Sequence, residues 1–201
     1  MLTRLVLASA SPARLATLRN AGIDPQVIVS GVDESQLDGL PPAELALQLA
    51  ELKCAAVAAG EGVPAGALVL GCDSVLALDG AALGKPADAA DATERWRAMR
   101  GRSGVLLTGH CLTDTATGRV AAATAATTVH FADVSDEEVA AYVATGEPLA
   151  VAGAFTVDGL GGAFVTRIEG DHHNVVGVSL PLLRDLTAEL GHAWTDLWAP
   201  R

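Results

Sequence analysis

The chain has 201 residues, a formal net charge of −11 at pH 7, and a composition in which half of the residues are hydrophobic. A general nucleic-acid binder needs an extended basic face, so this charge argues against that class of protein. The length predicts one domain over residues 1–201 with a sizeable core.

In chain order, apolar periodicity and turn residues predict alternating strands and helices. The predicted elements are a strand over 5–7, a helix from 12 to about 21, a strand over 26–30, a helix over 42–59, a strand over 68–78 that is broken near 71, a helix over 88–100, two strands over 105–114 and 119–131, a helix over 135–145, a strand over 163–168 and a helix over 181–190. The turn at 115–118 predicts an antiparallel hairpin. The class is mixed α/β.

Three cysteines, Cys54, Cys72 and Cys111, are scattered along the chain. They are too few for a disulfide framework or a thiolate zinc site, so we expect reduced core residues. No apolar run approaches the roughly 18 residues of a membrane helix, and no segment resembling a signal peptide opens the chain. We therefore expect a cytoplasmic protein with no membrane partner.

The first strand ends in a hydroxyl-rich turn into a helix. Pro12 suits the first helical turn, Ser11 can cap it, and Ser9 and Arg14 lie close by in sequence. Free amides, hydroxyls, the helix dipole and a guanidinium would then converge on one anion such as a phosphate. An ordinary capped connection explains the same residues.

Lysine is rare in this chain. Only Lys53 and Lys85 occur, against eleven arginines, so we expect each lysine to have a specific role. Its compact, mobile charge suits a phosphate oxygen, whereas arginine presents a planar fork. Two solvated surface lysines are the alternative.

Two acidic positions follow predicted strands. Asp73 lies between two apolar segments, where a carboxylate can bind a divalent cation or accept a proton from water, or simply bond its own turn. Glu34 belongs to a second acidic pair, for which a solvated loop is the alternative. With the lysines, Arg14 and the serines, these acids predict metal-dependent phosphate chemistry.

A series of short motifs, taken in order, resembles the Maf family. The resemblance covers almost the whole chain and rests on Leu7-Ala8-Ser9-Ala10-Ser11-Pro12-Ala13-Arg14, Val32-Asp33-Glu34, Lys53, Cys72-Asp73-Ser74-Val75, Gly84-Lys85-Pro86, Thr108-Gly109-His110, Gly146-Glu147-Pro148, Ala152-Gly153-Ala154-Phe155 and Asn174-Val175-Val176-Gly177.

The resemblance implies a nucleoside triphosphate pyrophosphatase, which releases a nucleoside monophosphate and pyrophosphate. It implies a mixed twisted sheet flanked by helices, with two lobes around a central cleft, as in inosine triphosphate pyrophosphatases. It also implies a divalent cation, Mg²⁺ or Mn²⁺, and a homodimer. Family members are linked to arrest of septum formation and to removal of modified nucleotides.

By position, Asp73 matches the family's catalytic acid, the proton acceptor for the attacking water, and Glu34 matches a second acid that positions metal or water. Both are the predicted metal ligands. The predicted substrate-binding residues are Ser9, Ser11, Arg14, Lys53, Lys85, Ser74 and Asp158.

Three positions depart from the family branches with known base preference. The branch acting on dTTP and UTP has arginine, threonine and glutamine where this chain has Ala13, Ser74 and Asp158, and the branch acting on 7-methyl-GTP has tryptophan, glutamine and glutamate there. This chain fits neither branch. Asp158 could accept hydrogen bonds from a base with exposed N–H groups, or the enzyme could be unselective.

Two other functions stay open at this stage. A non-catalytic regulator would bind a nucleotide or a division protein without metal-dependent turnover, and a phosphatase would release orthophosphate instead of pyrophosphate. His172-His173 could bind a metal, but adjacent residues on a strand face opposite ways, and on a loop a solvated pair is expected. We leave the pair outside the site.

Overall fold

The computed structural model describes residues 3–33, 37 and 39–200. In this part of the chain, a seven-stranded mixed sheet is flanked by six α-helices, which confirms the mixed α/β class. The strands are β1 (Leu5–Leu7), β2 (Gln26–Val27), β3 (Leu68–Leu78), β4 (Ala81–Leu83), β5 (Ser103–Asp114), β6 (Val120–Phe131) and β7 (Val165–Glu169). The helices are α1 (Pro12–Asn20), α2 (Pro42–Ala58), α3 (Ala89–Met99), α4 (Asp136–Ala144), α5 (His172–Val176) and α6 (Leu180–Glu189).

The sheet order is β2-β1-β3-β5-β6-β7, and β4 pairs with β3 on the same edge as β1. Strand β1 runs parallel to β2 and β3, whereas all the other pairs are antiparallel. Strands β5 and β6 form the predicted hairpin. The long strands β3, β5 and β6 therefore form the central part of the sheet.

Apolar side chains pack on the two faces of this sheet. Leu68 and Leu70 of β3 pack with residues of α1 and α6, and Val69 between them packs with α2 on the opposite face. A further cluster, centred on the fully buried Trp96, joins α3 and α4 to β5 and β6. Alternating strand residues thus bury both faces, as expected for a sheet covered by helices on both sides.

Strand β3 is continuous, so the predicted break near Gly71 is wrong. Gly71 pairs with Cys111 in the β3–β5 ladder. A Cβ at Gly71 would collide with the backbone carbonyl of Ala50 and with Cys54 of α2. The glycine therefore marks a close approach of helix to sheet and does not mark a turn.

Other predicted elements differ in extent. The predicted strand over 26–30 is only two residues long, and β4 and the short helix α5 were not predicted. His172 and His173 lie at the start of α5, with both side chains exposed, and not on a strand or loop. The three cysteines are buried and form no disulfide, as predicted. Within the described residues, no helix combines the length and apolar character needed to span a membrane.

Candidate active site

A cleft of about 810 Å³ opens beside the middle of β3. Strand β1 pairs with β3 at 68–70 and β4 pairs with it at 76–78. Between them, no described strand pairs with residues 71–75 on that edge, so side chains from both faces of β3 reach the opening. This gap in the sheet explains why consecutive residues, Asp73 and Ser74, both line the cleft.

The cleft brings together eight of the nine predicted site residues. Its lining includes Ser9, Ser11, Arg14, Lys53, Asp73, Ser74, Lys85 and Asp158. The ninth, Glu34, lies outside the described residues. Their roles stay predictions, but residues spread over 150 positions of sequence share one surface.

The turn after β1 has the predicted local geometry. The Ser11 hydroxyl caps α1 by accepting a hydrogen bond from the Arg14 backbone amide at 3.4 Å, and Pro12 occupies the first turn. The Ser11 amide donates to the Ser9 hydroxyl at 3.2 Å. The N-terminus of α1 therefore faces the cleft with its positive dipole end and two hydroxyl groups.

Asp73 is held by Lys53 across the wall between β3 and α2. Nζ of Lys53 lies 2.5 Å from Oδ1 of Asp73, and each side chain is only about one-eighth exposed, at 12% and 13%. Two glycines permit this contact, because Gly71 and Gly109 let the backbone of α2 lie directly on β3 and β5. A side chain at either glycine would push α2, and Lys53 with it, away from Asp73.

Arg14 is bound to three separate parts of the fold. Its Nε donates to the Gly177 carbonyl at 2.8 Å, and its Nη1 donates to the Cys72 carbonyl at 2.9 Å and to the Ser9 hydroxyl at 3.1 Å. Its Nη2 donates to the Ser74 hydroxyl at 2.9 Å. Four of the five guanidinium N–H groups are thus directed at the protein itself, so the guanidinium braces the cleft and directs the lone pairs of Ser9 and Ser74.

A buried polar chain continues behind Arg14. The Thr108 hydroxyl donates to the Asn174 carbonyl at 3.2 Å, so the Ser74 hydroxyl, 2.9 Å from that of Thr108, is the donor to it. The chain runs from Arg14 through Ser74 and Thr108 to α5. Thr108 and Asn174 are not among the predicted site residues, although both belong to motifs that carry the family resemblance.

His110 holds the segment 177–179, in which the Gly177 carbonyl accepts a hydrogen bond from Arg14. Its Nδ1 donates to the Thr108 carbonyl at 3.0 Å, and its Nε2 accepts from the Ser179 amide at 2.8 Å, so the ring is neutral. Burial, assisted by the charge of Arg14, lowers the pKa of His110 to about 4, although the hydrogen bond to Thr108 opposes this shift. His110 therefore stays uncharged at neutral pH beside a cationic site.

The cleft carries a local charge opposite to that of the protein. Among its described lining residues, three are cations (Arg14, Lys53 and Lys85) and two are carboxylates (Asp73 and Asp158). Lys85 and Asp158 are exposed, whereas Asp73 and Lys53 are largely covered. A chain with a net charge of −11 thus clusters three of its cations around this cleft, an arrangement suited to an anionic ligand.

A family model described as Maf-like protein matches residues 4–190. A Streptomyces avermitilis protein named nucleoside triphosphate pyrophosphatase is 64% identical over 198 residues, which is 98% of this chain and 96% of that protein. A protein of the same name from Salinispora tropica is 63% identical over 98% of this chain and 88% of its own length. Another, from Nostoc punctiforme, is 51% identical over 96% of each chain. These similarities extend over the whole cleft.

Proposed function

The chain belongs to the family of Maf-like proteins, and we propose that it is a nucleoside triphosphate pyrophosphatase. It would hydrolyse the bond between the α and β phosphates and release a nucleoside monophosphate and pyrophosphate. The names of its relatives support this activity, at 64% identity over 98% of the chain for one of them. The observation that carries the proposal is the Lys53–Asp73 pair on the wall of a cleft that also contains Arg14 and Lys85.

Asp73 is suited to the role of proton acceptor. In the proposed reaction, the oxygen of water forms a bond with the α phosphorus, the bond from that phosphorus to the bridging oxygen breaks, and pyrophosphate leaves. The proton of the water passes to the Asp73 carboxylate. Lys53 donates a hydrogen bond to Oδ1 of this carboxylate and so fixes its orientation toward the cleft.

The cations and the start of α1 would hold the phosphates. Lys85 is an exposed residue of the cleft lining and would bind the terminal phosphates, while the Ser9 and Ser11 hydroxyls lie at the N-terminus of α1. As negative charge develops on departing pyrophosphate, these groups stabilise it without having to reorganise. Arg14 contributes mainly by holding Ser9 and Ser74 in place.

A divalent cation, Mg²⁺ or Mn²⁺, fits this set of donors. Among residues 3–33, 37 and 39–200, no group of three His, Cys, Asp or Glu side chains forms a metal cage. Mg²⁺, however, commonly binds through one or two carboxylates together with substrate phosphates, and Asp73, with Glu34 as the second acid, would supply them. When bound, the ion would neutralise phosphate charge and polarise the α phosphorus.

Base recognition would fall to Asp158 and Ser74 in the lining of the cleft. Asp158 can accept hydrogen bonds from N–H groups of a base but cannot donate, and Ser74 offers a hydroxyl that Arg14 orients. Ala13 supplies neither charge nor ring. We therefore propose a substrate base with exposed N–H donors. A homodimer, a cytoplasmic location, a single domain over 1–201 and a link to cell division remain predictions.

A product assay tests the proposal. The wild-type chain and Asp73→Asn are incubated with a panel of ordinary and modified nucleoside triphosphates, with Mg²⁺ or Mn²⁺ and with chelator. We expect pyrophosphate and monophosphate from the wild type, loss of turnover on chelation, and a fall in kcat of about 10²–10⁴-fold in Asp73→Asn. Asp185→Asn, which changes an exposed acid of α6, is the matched control and should retain full activity.

Other results would contradict specific parts of the proposed function. Orthophosphate without pyrophosphate would indicate a phosphatase that acts on the terminal phosphate. Nucleotide binding without turnover across the whole panel would favour the non-catalytic regulator. Near-normal turnover in Asp73→Asn would remove Asp73 from the role of proton acceptor.

A further inference from the structure

Glu147 lies at the start of a short 3₁₀ helix after α4, and four donors converge on its carboxylate. Oε1 accepts hydrogen bonds from the Tyr142 hydroxyl at 3.0 Å, the Thr156 hydroxyl at 2.5 Å and the Gly161 amide at 3.0 Å. Oε2 accepts from the Leu160 amide at 3.0 Å. Three of these donors belong to the loop 156–161, so one carboxylate ties both ends of that loop to α4.

The loop closes tightly around this carboxylate. An added Cβ at Gly159 would lie 2.6 Å from Oε2 of Glu147, closer than real Cβ atoms approach. Gly161 leaves equally little room beside the Tyr142 hydroxyl. The two glycines of the loop therefore fit because the chain wraps directly over Glu147.

The charge on Glu147 is essential to this arrangement, because all four partners are donors. Burial alone would raise the pKa of Glu147, but the hydrogen bonds from Thr156, Leu160, Gly161 and Tyr142 lower it to about 2. The side chain is therefore anionic at every physiological pH. A neutral side chain of the same shape would leave at least one loop donor facing another donor.

The residues that Glu147 holds form one wall of the cleft. Thr156, Val157 and Asp158 all line it. Glu147 holds this stretch from both sides, through Thr156 at one end and through the amides of Leu160 and Gly161 beyond the other. This 156–158 wall contains a hydroxyl, three methyl groups and a carboxylate, and no cation. It is therefore suited to a sugar or a base with N–H donors and unsuited to the triphosphate.

We infer that Glu147 is a positioning residue for substrate selection: its carboxylate fixes the 156–158 wall in the position in which that wall contacts the nucleoside. The inference rests on the proposed function for the identity of the substrate. Glu147 itself does not line the cleft, and the Lys53–Asp73 pair lies elsewhere, on α2 and β3. Loss of its charge should therefore weaken binding and base discrimination more than it slows the chemical step.

The test compares Glu147→Gln with wild type in two measurements. One is kcat and KM across a panel of nucleoside triphosphates, and the other is the dissociation constant of an analogue whose α–β bridge is a methylene group. Because charge-assisted hydrogen bonds hold the wall, we expect KM and the dissociation constant to rise about tenfold, kcat to change less than about threefold, and preference among bases to shrink.

Asp114→Asn is the matched control. The Asp114 carboxylate also holds a turn, accepting from the Ala116 amide at 2.9 Å and the Thr117 hydroxyl at 2.8 Å, but it lies outside the cleft. This variant should lose stability and keep the wild-type KM. If Glu147→Gln does not fold, Tyr142→Phe removes one donor to Glu147 together with the acceptor of the Thr156 amide, and it should shift KM in the same direction by a smaller factor.

Three outcomes would overturn the inference. They are unchanged KM and base preference in folded Glu147→Gln, a fall in kcat alone, and an equal rise in KM in Asp114→Asn. Failure of the proposed function is a separate result, because it would appear as a wild type that binds the analogue and makes no pyrophosphate. The dissociation constants would then still decide the role of Glu147, and a wild type that binds no nucleotide would refute both.

Discussion

His110 makes the free energy of unfolding depend on pH in a defined window. The ring is fully buried and neutral, accepts a hydrogen bond from the Ser179 amide, and has a pKa lowered from about 6.5 to about 4 by burial and by the Arg14 charge, while Asp171 opposes that shift. Below pH 6.5 the unfolded chain binds a proton that the folded chain does not. Stability from this group is therefore complete above pH 6.5 and is lost as the pH falls to about 4.

The magnitude follows from the two pKa values. A difference of about 2.5 between 6.5 and 4 corresponds to about 3 kcal/mol of unfolding free energy at about 1.4 kcal/mol for each pH unit. Urea unfolding of the wild type and His110→Gln at a series of pH values between 7 and 4 measures it. The variant should be less stable at pH 7 and should lose about 3 kcal/mol less than the wild type across this range.

The control is His172→Gln, which changes an exposed histidine of α5 and should keep the wild-type pH dependence. Carboxylates contribute equally to the wild type and to both variants, so the difference between the curves isolates His110. Parallel curves for the wild type and His110→Gln would refute the assignment of a neutral, buried His110 with a strongly lowered pKa.

Two further predictions concern packing. Gly109→Ala should lower the free energy of unfolding by about 1–3 kcal/mol, because its Cβ would collide with the backbone of Ala46. Gly84→Ala is the control and should change this free energy little, because the space around Gly84 is open. Equal effects of the two variants in thermal unfolding would contradict the prediction. Trp96→Ala should cost about 3–5 kcal/mol, since the ring is fully buried and its Nε1 donates to a backbone carbonyl at 2.7 Å. Trp198, which is 48% exposed, provides the control substitution to alanine, and a comparable loss there would contradict the packing argument.

Local chemistry allowed most elements to be predicted. The Ser11 cap and Pro12 placed the start of α1 correctly, because a helix N-terminus is satisfied by residues within one turn. The turn at 115–118 between two strand-like stretches predicted the β5–β6 hairpin. Short elements were missed, since β4 and α5 contain too few residues for a period to be recognised.

The residue types needed for phosphate chemistry are visible along the chain: two lysines, a capped helix start and Asp73 after an apolar run. That Gly71 contacts α2, that Arg14 braces the walls of the cleft, and that Glu147 holds a loop of the cleft is visible only in the folded protein. These roles depend on contacts between residues far apart in the chain. Periodicity and spacing report only neighbours within a few residues, so such contacts appear only when the sheet and its helices assemble.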